Sequence, residues 1–574
     1  MLRDVYARII PVVSLSFGIG LPNPRFSHSF VYIRAFSKVR VHIDPYPYWT
    51  GAPSSTMPMP TSSSVFDSWL RLRPPSANSA SPLHWTRMDL PEDVIHHILG
   101  FCDISSVLNV GQTSKYFRRL SVSRALWASL VKHLRRKGLI DRLSNADIEE
   151  LPTVELMAAV KRLLTGPESW SVQKKRKPTG LSRIFAKLFR GAGSRRYQRR
   201  GLHATVSARL ALHPPASDRW DTMAKLTRGG EFVLVMNRLS ILECWRVDRD
   251  TLLWTHRSSI PFATVHDFAV EVVDNGERAN IVICIRTQTA PVDVGRNYME
   301  IVSLELETGM SDLILAAECP LSDWRSPFPA GPKMCGDIAL VCMCGTSYMN
   351  YGQAYHIINW RVRMYCTISC SPKLLFQLEL VPGYLILTET SPTGSLQEIS
   401  VIDITALSPH WAPMPMGEPM DMTVTPISSL PKLVSDMVKV SQGAINYSKV
   451  ELTVLESPLE RGVYRIWLYI PHFCDPFQNQ DCALLCGFHL QLPSVVGAQL
   501  VWRRRSCIPT PSLDRSSFTY SGHTYMGLGI VPPTTPTSII ATDTADRGDY
   551  VHVAPYSGAL TYPTAQELVV CYFE

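Results

Sequence analysis

The chain has 574 residues, of which 45% are apolar, 9% aromatic and 18% charged, enough apolar material for a sizeable core and too much for a wholly disordered protein. Its longest apolar run, Ile9 to Leu21, is broken by Pro11, Gly18 and Gly20, and no run reaches the roughly 18–20 residues of a membrane span. The formal charge of +8 is uneven, because eleven Lys and Arg and no acid lie between Lys174 and Arg200, which leaves −3 for the rest.

Residues 1–44 set Arg3, Arg8, Arg25, Arg34, Lys38 and Arg40 against Asp4 and Asp44. Such an acid-poor start reads as a targeting leader or as an unstructured extension, with Met57 and Met88 as alternative starts. Eight prolines between Pro45 and Pro82, among serines and few charges, have the composition of a linker. Residues 1–82 are therefore expected to be a disordered extension, dispensable for folding.

Three short helices can be read between Met88 and Val131. Pro91 suits a first helical position, and Glu92 and Asp93 place negative charge in the first turn. Val94, Ile95, Ile98 and Leu99 recur at one-turn spacing, with Gly100 as the stop. Asp103 or Ser105 can cap a second helix carrying Ile104, Val107 and Leu108 up to Gly111, and Thr113 a third carrying Tyr116, Phe117 and Leu120. Leu126, Trp127, Leu130 and Val131 resume the pattern. Three such helices in so short a stretch cannot close a core alone, so the apolar surplus points to a partner-binding face.

The wording LPEDVIHHIL, SSVLNVGQTSKYFRRL and LWASLV resembles the F-box motif, with its opening Leu-Pro, its middle Leu/Val-rich helix and its late Leu-Trp. Ser114-Lys115-Tyr116-Phe117 departs from the Cys-Lys-x-Trp of many F-boxes but keeps the aromatic bulk. The resemblance implies an interaction module that docks on a Skp-type adaptor of cullin–RING ubiquitin ligases, while the rest of the chain presents an unknown substrate protein. Carried over by position, Leu90 and Pro91 would seat the first helix. Val94, Ile95, Ile98, Leu99, Val107 and Leu108 would fill the adaptor interface, and Leu126 and Trp127 would close it.

Beyond the motif, Ser144 and Asp147 are spaced as a helix start, and Val154 to Leu164 make a further helix with Val154, Met157, Val160 and Leu164 on its apolar face. These complete a helical domain expected over 83–165. A basic linker or loop is expected over 166–201, with Lys174, Lys175, Arg176, Lys177, Arg195, Arg196, Arg199 and Arg200 flanking Leu181, Ile184, Phe185, Leu188 and Phe189 at helical spacing. Lys174 to Lys177 reads as a nuclear-localisation run, which would make importin or nucleic acid a weak partner. An acidic membrane is the other surface such a stripe can meet, although no membrane partner is expected. A run of like charges is equally a mobile solvated loop, the first place trypsin would cut.

From about residue 202 the period becomes alternating. EFVLVM (231–236), SILECWRV (240–247), ANIVICIR (279–286), YMEIVSLEL (298–306), DIALVCMC (337–344), AYHIINW (354–360), LLFQLEL (374–380), YLILTET (384–390), QEISVIDI (397–404), VELTVLE (450–456), VYRIWLYI (463–470) and ELVVCYF (567–573) read as strands. Turn chemistry such as Asn275-Gly276 and Pro382-Gly383 connects them. Leu433 to Val440 is the one stretch here that could be helical. The fold class expected is therefore α+β multidomain: a small all-α domain, then a large all-β domain over 202–574. A β-propeller of six to eight irregular blades fits best, with units starting near Gly229, Val265, Gly336, Leu380, Tyr447 and Phe518. The Trp-Asp repeat signature is missing, since Arg246 follows Trp245 and Arg361 follows Trp360. The closing YSGALTYPTAQELVVCYFE resembles the last strands of propellers attached to F-boxes, so the C-terminus should be buried in the ring.

No nucleophile elbow, phosphate loop, HExxH or CxxC pair is present. His472, Cys474, Cys482 and Cys486 are close in sequence, but their spacing does not match zinc knuckles, so neither metal nor cofactor is expected. Cys342 with Cys344, and Cys366 with Cys370, read as same-face neighbours on strands. His96 and His97 read as solvated. The fourteen cysteines form no regular framework and suit reduced thiols of the cytoplasm or nucleus. Two functions follow as expectations: a non-catalytic substrate receptor of a Skp–cullin–F-box ligase, or a nuclear nucleic-acid-associated scaffold using residues 174–200.

Overall fold

The structure is a computed structural model that describes residues 91–573, except 142–144, 171–203, 214–222, 238–239, 288–295, 321–330, 345–352, 370–375, 392–395, 416, 422, 440–449, 475–480, 494–497, 512–516, 526–528, 533–539, 542–550 and 565. The expected extension 1–82, Leu90, and Lys174, Lys175, Arg176, Lys177, Arg195, Arg196, Arg199 and Arg200 of the basic segment lie outside the described residues.

Among the described residues six helices come first: α1 (Glu92–Phe101), α2 (Ile104–Thr113), α3 (Lys115–Ser121), α4 (Arg124–Arg136), α5 (Asn145–Glu150) and α6 (Thr153–Thr165). Short polar side chains set their starts. Asp103 accepts from the Ser106 N–H at 2.7 Å, Ser114 from Phe117 at 3.2 Å and Ser123 from Leu126 at 3.4 Å. The boundaries correct the glycine and threonine signals. Gly100 and Gly111 lie inside helices that run on past them, and Thr113 bonds back to Val110 within the last turn of α2 while Ser114 caps α3. Pro91 is the cap of α1, one position before its first helical residue.

The β-region is built from antiparallel sheets in chain order. Sheet I comprises Met223–Leu226, Phe232–Met236, Leu242–Arg246 and Thr251–Thr255, and sheet II Ala263–Val273, Arg278–Thr287, Arg296–Glu305 and Ser311–Cys319. Sheet III is Lys333–Cys335, Ile338–Cys344, Gln353–Asn359 and Met364–Ser369, extended by Ala412–Pro413 and Val424–Pro426. Sheet IV is Phe376–Val381, Tyr384–Thr390, Leu396–Asp403 and Lys432–Lys439, and sheet V Glu451–Glu456, Val463–Cys474, Asp481–Gln491 and Val501–Pro511. Sheet VI is the thin one, Ser517–Phe518, Thr524–Tyr525, Gly529–Val531 and Ile540–Ala541. Sheet VII takes His552–Val553, Leu560–Pro563 and Leu568–Phe573, and completes itself with Val206–Leu212 from the start of the region.

Alternation explains why these sheets form a ring. In Arg278–Thr287, Ile281, Ile283 and Ile285 pack in a core shared with sheet I, while Val282 and Cys284 pack in one shared with sheet III. Similar cores lie between III and IV, IV and V, V and VI, VI and VII, and VII and I, so that each sheet is buried on both faces. First strands face inward on their neighbours. Lys225 of sheet I pairs with Asp267 of sheet II at 2.8 Å, Lys333 of III with Glu379 of IV at 2.8 Å, and Gln377 of IV accepts from the Leu452 N–H of V at 2.9 Å. This is β-propeller architecture, and among the described residues its sheets number seven.

The ring is closed by its two ends. Val206–Leu212 pairs with Leu568–Phe573, Leu212 opposite Leu568 and Ala208 opposite Tyr572, and every residue of Leu568–Phe573 is buried. Each of the twelve strand runs read from the sequence overlaps a strand of these sheets. The Leu433 to Val440 stretch is corrected: Lys432–Lys439 is the fourth strand of sheet IV, with side chains alternately covered and exposed along Leu396–Asp403. Pairing to an available sheet edge decides it.

Candidate protein-interaction site

The helical domain is sewn onto the ring at sheets V to VII and at the first turn of sheet I. Its core of Ile95, Leu99, Val107, Leu108, Leu126, Trp127, Val131 and the α6 residues Leu156, Val160 and Leu163 is continuous with Leu455, Leu459, Trp467 and Tyr469 of sheet V and its first turn and with Phe518 and Tyr520 of sheet VI. The Ser105 N–H donates to the Leu459 carbonyl at 3.1 Å. Lys137 meets Glu456 at 2.6 Å, and Arg135 pairs with Glu231. Gly138, at φ +67°, lets the chain leave α4 against Arg228, whose Cβ would stand 2.4 Å from a Cβ there.

A second joint lies past α6. Glu168–Trp170 forms one 3-10 turn, and Trp170 is fully buried between sheets VI and VII, 5.3 Å from the Phe573 ring and 5.5 Å from the His523 ring. The helical part thus reaches Trp170, five residues into the stretch expected as linker, because so large an apolar ring finds cover in the seam. Burial holds the His523 pKa at about 4, below its usual value, and Ser521 hydrogen-bonds its Nδ1 at 2.7 Å.

These joints leave one side of the helical domain uncovered. Val94, Ile98 and Phe101 form a stripe along α1 at 39%, 49% and 67% exposure, with His97 edge-on to Phe101 at 4.8 Å. Tyr116 and Val122 are exposed at either end of α3, and Glu92 of α1 pairs with Arg119 of α3. Beside the stripe runs a groove of about 590 Å³ between α1 and α4, lined by Asp93, His96, His97, Phe101, Ala125 and Ser129 with Leu126 beneath.

Of the residues expected at an adaptor interface, Pro91, Val94 and Ile98 are exposed along α1 and its cap. The other described six face inward. Ile95, Leu99, Val107, Leu108, Leu126 and Trp127 are buried in this chain's own core, and the Trp127 Nε1–H donates to the Ser121 carbonyl at 2.7 Å. The core they share takes in α6 and sheets V and VI, elements that lie outside Met88–Val131. Phe101 was missed by that reading although it completes the i, i+4, i+7 stripe with Val94 and Ile98, a signal present in the sequence.

Among the described residues no group of three or more His, Cys, Asp or Glu is arranged to hold a metal ion. Glu300, fully buried, faces His256 Nε2 at 2.9 Å and accepts from Ser259 Oγ at 2.6 Å and Ser258 Oγ at 3.2 Å. No helix among the described residues is long and apolar enough to cross a membrane.

Residues 88–133 match the family model for F-box-like domains. The chain therefore carries an F-box-like domain followed by a propeller-like β-domain. No curated protein sequence matches it. Among solved structures, the β-propeller domain of Cps50 (Swd1) from Myceliophteria thermophila is 9% identical, with a TM-score of 0.38 over 65% of this chain and 100% of that one. BamB from Moraxella catarrhalis is 11% identical, with a TM-score of 0.28 over 64% of this chain and 97% of that one.

Proposed function

We propose that this chain is the substrate-receptor subunit of a Skp–cullin–F-box type ubiquitin ligase, working in the cytoplasm, the nucleus or both. The observation that carries the reading is the stripe of Val94, Ile98 and Phe101, left open on an F-box-like domain whose other side is sealed onto the ring. A Skp-type adaptor would cover that stripe, with Pro91 and the neighbouring Leu90 at its rim, while the buried six set the spacing of the helices beneath it. The ring would hold a target protein. Its rigid attachment through Trp170, Lys137 and Ser105 supports this, because a receptor acts by fixing the distance between target and transferring subunit. The chain itself would do no bond chemistry.

The reading is checked by retention of the full-length chain on an immobilised Skp-type adaptor at moderate and at high salt. An apolar interface holds at both. A wild-type chain lost at both salts overturns the ligase reading. Binding to nucleic acid instead, weakening steeply with salt, would favour a scaffold acting through Lys174 to Arg200.

A further inference from the structure

We infer that Cys486 and Cys507 are a redox modification site, converting reversibly between two thiols and a cross-strand disulfide on the outer part of sheet V. The two residues are direct partners in the antiparallel ladder of Asp481–Gln491 and Val501–Pro511. Directly opposed residues on antiparallel strands lie about 4.5–5.5 Å apart at Cα, inside the roughly 4.4–6.8 Å that a disulfide spans, and their side chains leave the same face. The thiols are free and hydrogen-bonded to each other, so bond formation asks for little movement of the backbone.

The pair is asymmetric in the way a two-step oxidation needs. Cys507 is exposed, whereas Cys486 is fully buried in the seam between sheets IV and V. The hydrogen bond from Cys486 holds the Cys507 thiol below its usual range, with the nearby Arg504 guanidinium adding to the effect. Cys486, which donates that bond and is buried, is raised. Arg504 is itself anchored to Asp436 of sheet IV, so its charge stays beside the pair. Cys244 and Cys366 lack this setting: burial alone pushes them up to about 12, and neither is exposed.

With a hydroperoxide as oxidant, the Cys507 thiolate attacks the O–O bond, becomes a sulfenic acid and releases an alcohol, or water from hydrogen peroxide. Cys486 then loses its proton and attacks the Cys507 sulfur, the S–O bond breaks, and water leaves as the S–S bond forms. Two thiols lose two electrons and two protons, and one hydroperoxide takes them up. A dithiol reductant reverses the change by thiol–disulfide exchange.

The experiment takes the reduced full-length chain, treats it with limiting hydrogen peroxide, blocks remaining thiols and maps peptides after trypsin. A bond joining the peptide Ile466–Arg503 to Ser506–Arg515 is expected, reversed by dithiothreitol. Because the first peptide also holds Cys474 and Cys482, fragmentation must place the bond on Cys486. Cys486→Ser should arrest oxidation at a Cys507 sulfenic acid that dimedone traps. A bond on Cys474 or Cys482, or a wild-type chain that gives Cys507 sulfinic acid with Cys486 still a thiol, would overturn the assignment.

Discussion

The indole of Trp170 occupies the space in front of Gly558: a Cβ on Gly558, at φ +72°, would stand 2.3 Å from Cη2 and 2.7 Å from Cζ3 of that ring. The residue that ends the helical part and the turn before the Leu560–Pro563 strand of sheet VII are thus fitted to one another across 388 positions of chain.

Gly558→Ala should therefore destabilise the protein by about 2–4 kcal/mol, overpacking at the ring adding to a left-handed backbone that alanine adopts with strain. Trp170→Ala should cost about 3–5 kcal/mol through the cavity it opens. Urea unfolding of both and of the double variant is decisive. If the two changes add fully, the residues are not packed on each other.

Exposure separates two α-helical residues that the sequence treats alike. Ile98→Asp should abolish adaptor retention while moving the melting temperature little, because Ile98 is 49% exposed. Trp127→Ala should lower stability by about 3–5 kcal/mol whether or not an adaptor is present, since its ring is internal. Loss of binding by Trp127→Ala with unchanged melting would put that ring on the interface after all.

Closure of the ring rests on Val206–Leu212 against Leu568–Phe573. Val570→Asp, at a fully buried position facing sheet I, should cost more than about 3 kcal/mol by leaving a charge unpaired in the seam. Deleting residues 206–212 should expose the unpaired edge of Leu568–Phe573 and cause aggregation. A soluble deletion variant melting with the wild type would show that closure is dispensable.

Acid should loosen the ring elsewhere. Burial lowers His356 and His523 to about 4 from a usual 6.5, so the unfolded chain binds more protons between those values. Their contribution is complete above about pH 6.5 and is lost as pH falls toward 4, at up to about 1.4 kcal/mol per pH unit for each. Melting temperatures measured across pH 4–8 should be level at the top and fall below 6.5. His523→Gln should flatten part of that fall; an identical profile would remove His523 from it.

What the sequence determined by itself is local. Two-residue alternation in runs such as Ala279 to Arg286 dictated strands, and apolar residues on both faces of them required sheets covered on both sides. Helical spacing in Val94, Ile95, Ile98 and Leu99, with the Leu-Pro and Leu-Trp wording, marked the F-box-like domain, and the terminal strand Leu568–Phe573 was placed in the ring. Period says that a residue has an apolar side; it does not say what lies against it. Only the tertiary structure decided that Leu108 and Trp127 share one core with the chain's own α6 and sheets V and VI, leaving Val94, Ile98 and Phe101 outside. It likewise set Trp170 against Gly558 and Cys486 opposite Cys507, pairs whose members share no local signal. Burial is a contact made over long stretches of chain, and which of two equally apolar faces is covered depends on the element that arrives to cover it.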